Sequence, residues 1–151
     1  MEVPRFWRET KARYNLEGVR CGACEKAYFP PREVCPDCHR ESIGNMEKFK
    51  LTGYGEVYSF STIHDAPNYF KDEVPYIIAL IKTDEGPLVT GQVVDWEDGE
   101  VQIGTRVESV FRKINEQGKH GVIQYGYKFK PIRSEEKSEA EESSDADTPS
   151  E

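Results

Sequence analysis

Hydrophobic and polar positions alternate through the middle of this chain and lose that order at both ends. "GEVYSFSTI" (Gly55–Ile63) alternates, with Tyr58 and Phe60 to one side and Val57 and Ile63 to the other. "PYIIALIKT" (Pro75–Thr83) is a continuous apolar run, the pattern of a strand buried on both faces. The turn "DEG" (Asp84–Gly86) joins it to a hairpin partner, "PLVTGQVVDW" (Pro87–Trp96). After a second turn, "EDG" (Glu97–Gly99), "VQIGTRVESVFRKI" (Val101–Ile114) predicts a further strand with a kink at Gly104. "VIQYGYKFKPI" (Val122–Ile132) closes the set, with Tyr125, Tyr127 and Phe129 on one face. Five strands with glycine-bearing bends between residues 47 and 130 predict a small closed barrel, and the OB-fold is the leading candidate.

The flanks read differently. Residues 2–18 begin with Pro4, run through "RFWRETKARYNLEG" and end at Gly18, which is the punctuation of a short helix. Phe6, Thr10 and Tyr14 fall on one helical face, and Arg5, Arg8 and Lys11 on another. Residues 19–46 are rich in Pro and charge, bury little apolar surface and need a cross-link to hold a shape. The tail "RSEEKSEAEESSDADTPSE" has no aromatic residue and no aliphatic one larger than Ala, so it cannot offset the entropy of ordering. The expected organisation is an N-terminal helix (1–18), a segment that its four cysteines would cross-link as a rubredoxin-like zinc ribbon (19–46), a five-stranded OB-fold barrel (47–132) and a disordered acidic tail (133–151), a mainly β chain.

Charge sharpens this picture. The net charge is −8, but residues 133–151 carry two basic and eight acidic groups, or −6, leaving −2 on residues 1–132. A nearly neutral body lacks the basic footprint that drives non-specific nucleic-acid binding. There is no apolar run near the roughly 18 residues a membrane span needs. The N-terminal stretch is amphipathic and lacks the apolar centre and cleavage site of a secretory signal. The reading is a soluble, cytoplasmic protein.

All four cysteines lie in "RCGACEKAYFPPREVCPDCHRES", as the pairs Cys21/Cys24 and Cys35/Cys38. Two such pairs, each presenting two sulfurs from a tight turn, are a strong metal signal. Four thiolates at about 2.3 Å from one ion make a closed tetrahedron, with no vacancy for a substrate. Structural Zn2+ suits the short gap better than iron, and His39 is surplus to a complete donor set.

Weaker signals come from elsewhere. His64–Asp65 resembles an oriented base, but no nucleophile marks itself beside it, and His120 sits in a Gly-bearing loop; both read as solvated. "GYGEVY" opens a strand, so the helix N-terminus that would hold phosphate is missing. The barrel aromatics read as core, or alternatively as a base-stacking platform of a single-stranded nucleic-acid binder. The loop His64–Tyr76 shows Tyr69 and Phe70, which either cap the barrel end or meet a partner. Arg5, Arg8 and Lys11 beside Phe6 and Trp7 suit a ligand with phosphates and a flat ring, such as coenzyme A.

The order of helix, four-Cys ribbon and barrel, with "PRFWRE", "CGACEKAYFPPREVCPDC", "LTGYGEVYSFS", "VPYIIALI", "IGTRVESVF" and "YKFKP", resembles a known family. These are the zinc-ribbon/OB-fold proteins of archaea and bacteria, long known as a domain of unknown function. The resemblance covers nearly the whole chain to about Ile132. It implies a non-catalytic scaffold that holds acetoacetyl-CoA thiolase and hydroxymethylglutaryl-CoA synthase of the mevalonate pathway together, so that the acyl-CoA intermediate passes through a shared site. Partnership with another acyl-CoA enzyme is the alternative within the family. It also implies Cys21, Cys24, Cys35 and Cys38 as metal ligands. Many such ribbons have Gly directly after the second Cys of each pair; here Glu25 and His39 stand there. Tyr28, Phe29 and Arg32 on the ribbon hairpin, with Tyr69 and Phe70, are the candidate partner surface.

Overall fold

The structure is a computed structural model that describes residues 7–67, 70–116 and 121–133. Arg5, Tyr69, His120 and the tail beyond Arg133 lie outside the described residues. Residues 7–8 are helical and lead into helix α1 (Thr10–Asn15), which buries Ala12. The helix ends earlier than Gly18. Leu16 takes the left-handed position (φ 53, ψ 40), usually left to glycine, and Glu17 already belongs to a strand. Packing explains the choice: the Leu16 side chain joins the barrel core, and its burial outweighs a left-handed penalty of about 1–2 kcal/mol.

Strands β1 (Glu17–Cys21), β2 (Ala27–Tyr28) and β3 (Met46–Lys50) form an antiparallel sheet in the order β2-β1-β3. β3 pairs along its whole length with β1, from Met46 opposite Cys21 to Lys50 opposite Glu17. A division of the chain between 46 and 47 therefore leaves most of this ribbon strand on the barrel side.

The barrel is built from β4 (Tyr54–Ile63), β5 (Tyr76–Thr83), β6 (Leu88–Val93), β7 (Arg106–Glu116) and β8 (Ile123–Pro131). It closes in the order β4-β5-β6-β8-β7. Closure is parallel and narrow: β6 meets β8 only at Val93 opposite Phe129, and the Val94 N–H donates to the Phe129 carbonyl at 2.8 Å. Val57, Ile77, Ala79, Ile81, Val89, Val93, Val107 and Phe129 fill the interior. The apolar run of β5 is buried on one face only: Ile77, Ala79 and Ile81 enter the core, while Ile78 and Leu80 on the other face are half-buried. The alternation of β4 does not persist: a bulge between Val57 and Ser59 leaves Tyr58, Ser59, Phe60 and Ser61 all exposed. Gly104 (φ 90) stands before β7 rather than within it, in a turn whose N–H reaches the Val57 carbonyl. Among the described residues no helix is long and apolar enough to cross a membrane.

Two contacts lend themselves to measurement. A Cβ on Gly91 would meet the Phe129 ring at 2.6 Å, and that ring is fully buried and cannot move aside. Gly91→Ala should therefore destabilise the barrel by about 1–3 kcal/mol, read from urea unfolding midpoints. Arg106 donates two parallel bonds to Asp84, at 2.6 and 2.8 Å, tying the β5–β6 turn to the start of β7. The guanidinium holds the Asp84 carboxyl below its ordinary 3.8. A depressed carboxylate stabilises the fold above its unfolded pKa and ceases to do so as pH falls through the folded value. Both side chains are nearly half exposed, so the contribution is screened. Asp84→Asn should cost about 0.2–1 kcal/mol at neutral pH. The stability curves of the two proteins should converge below about pH 3.9, where the unfolded carboxylate protonates.

Candidate functional site

The ribbon is built from two copies of one backbone device. In the first, Cys21 ends β1, a turn carries Cys24, and the Glu25 N–H returns to the Cys21 carbonyl at 2.8 Å. In the second, the His39 N–H returns to the Cys35 carbonyl at 3.0 Å. Each device needs the residue after its second Cys in the left-handed region, and Glu25 (φ 59) and His39 (φ 46) occupy it without being glycine. The second knuckle is pinned by Ser42, fully buried in a short 3-10 helix (His39–Ser42). Its Oγ accepts the Cys35 N–H at 2.9 Å and donates to the His39 carbonyl at 2.6 Å. The Gly22 N–H donates to the Asn45 carbonyl at 2.9 Å and so holds the first knuckle to the end of the loop.

This brings the Sγ atoms of Cys21, Cys24, Cys35 and Cys38 within 4.8 Å of one another. Cys24 and Cys35 stand 3.6 Å apart, too far for a disulfide, and all four thiols are free. Four sulfurs each about 2.3 Å from a common ion would lie about 3.8 Å apart, so the cluster fits a tetrahedral metal centre. Sulfur donors select soft ions such as zinc. Electrostatics agree. The Tyr28 hydroxyl, 3.2 Å from the Cys35 sulfur, holds that thiol down to about 6. Cys38 is pushed up to about 12, first by its hydrogen bond with Cys24 and then by burial. One thiol ionises readily and another resists, because Tyr28 stabilises the first while the Cys24 hydrogen bond and burial hold the proton on the second. A divalent cation among them removes the conflict, and bound there it supplies a structural cross-link.

The residues around the cage are placed as follows. Tyr28 also donates to Asp37 at 3.3 Å, which in turn accepts from Lys26 at 2.7 Å. Arg32 lies over the Tyr28 ring at 5.6 Å and is exposed. Phe29 points the other way, onto Tyr127 of β8 (ring centroids 5.6 Å), and packs against the barrel core. Phe70 rests on Tyr76 at 5.8 Å and is half-buried. His39 and His64 are exposed.

A second feature lies on the helix. Trp7, Arg8, Thr10, Lys11 and Tyr14 face Val122 and Ile123 across an open cleft of about 520 Å³. Tyr14 stands edge-on to Phe111 at 5.0 Å, and Phe111 stacks on Tyr125 at 5.4 Å, extending an aromatic wall from the cleft. Arg8 and Lys11 thus share one site with two rings. Val122 and Ile123, which complete it, carry no signal in sequence beyond an apolar start to β8. The β8 aromatics do not make a continuous stacking face: Phe129 is fully buried, Tyr127 is covered by Phe29, and Tyr125 alone of the three is exposed.

Comparison with known proteins bears on both features. Residues 8–44 match the rubredoxin-like zinc ribbon domain of ChsH2, and residues 50–112 match the C-terminal OB-fold domain of ChsH2. A DUF35 domain-containing scaffold protein of Methanocaldococcus jannaschii is 52% identical over 132 residues, covering 87% of this chain and 92% of that one. The chain belongs to the DUF35 scaffold proteins. A probable enoyl-CoA hydratase alpha subunit of Thermomonospora curvata is 31% identical over 102 residues, which are 68% of this chain and 31% of that longer protein. Among solved structures, a chain of the Ltp2-ChsH2(DUF35) aldolase superposes with a TM-score of 0.63 at 24% identity, covering 87% of this DUF35 chain and 96% of its own, a likeness of fold.

The four-cysteine cage predicts its own test. Cys21→Ser or Cys35→Ser should reduce bound zinc, measured by plasma mass spectrometry, from stoichiometric to background. Far-UV circular dichroism should retain the barrel's β signal. The melting temperature should fall, because Phe29 and Phe49 pack the ribbon onto the barrel.

Proposed function

We propose that this DUF35 protein is a non-catalytic scaffold subunit that bridges acetoacetyl-CoA thiolase and hydroxymethylglutaryl-CoA synthase and helps wall an acyl-CoA site between them. The observation that carries the reading is the cleft beside the helix. Its two cations match phosphates, and its two rings match a flat base, which together are the handle of coenzyme A. Membership in a family of scaffold proteins supports the bridging role. The relative named for an enoyl-CoA hydratase supports acyl-CoA as the shared chemistry. A closed four-sulfur cage leaves the metal to shape a surface rather than to activate a substrate. Arg5, on the same predicted helical segment, would add a third cation.

Two measurements test this. A tagged chain expressed in its native host should bring down both enzymes. Coenzyme A should bind the chain or its complex in calorimetry, and Arg8→Glu with Lys11→Glu should weaken that binding by about tenfold or more, roughly 1.4 kcal/mol. A chain that brings down neither enzyme and shows no heat with coenzyme A would sink the proposal.

A further inference from the structure

Beyond β6 and β8, which share only the Val93–Phe129 pair, two strands of the barrel leave part of one edge without a strand partner among the described residues, and the chain treats those two edges differently. β7 pairs with β4 only as far as Glu108, and the Ser109 N–H then bonds the Gly53 carbonyl. From Val110 to Glu116 it has β8 alone. That edge carries exposed Arg112 and Lys113 and a register shift between Lys113 and Asn115. Charges and bulges of this kind stop another strand from adding.

The edge of β4 has no such protection. β4 pairs with β7 over Tyr54–Glu56, and Val57 makes the last bonds on that side, to Gly104 and Thr105. From Ser59 to Ile63 it is bonded to β5 alone among the described residues. Ser59, Phe60 and Ser61 are exposed, and Thr62 and Ile63 half-buried. There is no charge, no proline and no further bulge. Tyr58 beside it is 58% exposed and Phe60 39%. An open row of N–H and C=O groups specifies what can cover it, namely an extended strand.

We propose that Ser59–Ile63 pairs antiparallel with the same segment of a second copy of this chain. Every copy carries the same open edge, and a twofold axis closes both edges in one contact. Centred on Ser61, the pairing sets Ser59 opposite Ile63 and Phe60 opposite Thr62. No like charges meet across it, and the two Phe60 rings become diagonal neighbours within reach of each other. The two barrels then share a continuous sheet. The inference is independent of the acyl-CoA reading.

The test is the mass of the purified chain in solution by light scattering on a sizing column, across micromolar to millimolar concentration. The wild type should show twice the chain's 17.3 kDa at high concentration. Ser61→Lys sets two ammonium groups against each other on the axis, and Phe60→Ser removes the ring contact. Both should return the mass to monomer while leaving the circular dichroism of the fold intact. Amides of Ser59–Ile63 should exchange hydrogen more slowly as wild-type concentration rises. A wild type that stays monomeric throughout, or a dimer that both variants leave unchanged, overturns the proposal.

Discussion

Mutual repulsion among four thiolates governs the amino-terminal third of this molecule. The sulfurs sit within 4.8 Å of one another, and without a cation between them they cannot all be ionised. The ribbon has little else to hold it. Its sheet contains one two-residue strand, its loop is exposed through Pro30–Val34, and its buried residues are chiefly Cys21, Cys35, Val19 and Ser42. A segment this poor in core depends on a cross-link in the way small metal domains do. The backbone devices at Glu25 and His39, the Ser42 pin and the Tyr28 hydroxyl all serve to aim sulfur at one point.

That arrangement reaches the barrel through aromatic rings. Phe29, next to Tyr28, stands on Tyr127, and Tyr127 stands on Phe129 at 5.8 Å, the ring at the centre of barrel closure. Phe49 of β3 joins the same packing while its ring also lies beneath the Arg20 guanidinium at 4.2 Å. Leu16 and Leu51, on the two connections between helix, ribbon and barrel, are both in the core. The modules thus share apolar contacts, and the orientation of the ribbon is set by packing rather than by a linker. The helix cleft inherits its geometry from the same framework, since α1 lies against β8.

Much of this was legible in the sequence because it rests on local rules. The spacing of the cysteines gave their convergence, and the missing glycines after Cys24 and Cys38 pointed to the two positions where a left-handed backbone is found with a side chain attached. Alternation, one continuous apolar run and turn residues located all five barrel strands. What was not legible depended on partners distant in sequence. "MEKFK" says nothing by itself about pairing with β1, so the sequence alone groups most of β3 with the barrel. The end of the helix at Leu16 was hidden because a tertiary contact overrode the glycine signal at Gly18. The hairpin sequence sets Phe29 beside Tyr28 and Arg32, and only the position of Tyr127 turns it inward. The alternation of β4 failed at a bulge, which no residue type announces.

The side chains at Glu25 and His39 have a consequence for how the ribbon comes into being. A glycine there would visit the left-handed region about as readily as any other, so the knuckles would close by themselves. With Cβ atoms present, each closure costs on the order of 1 kcal/mol before any sulfur is bound. The same two side chains would couple the shape of the ribbon to metal occupancy, since an ion bound there would have to offset their strain as well as the repulsion among the sulfurs.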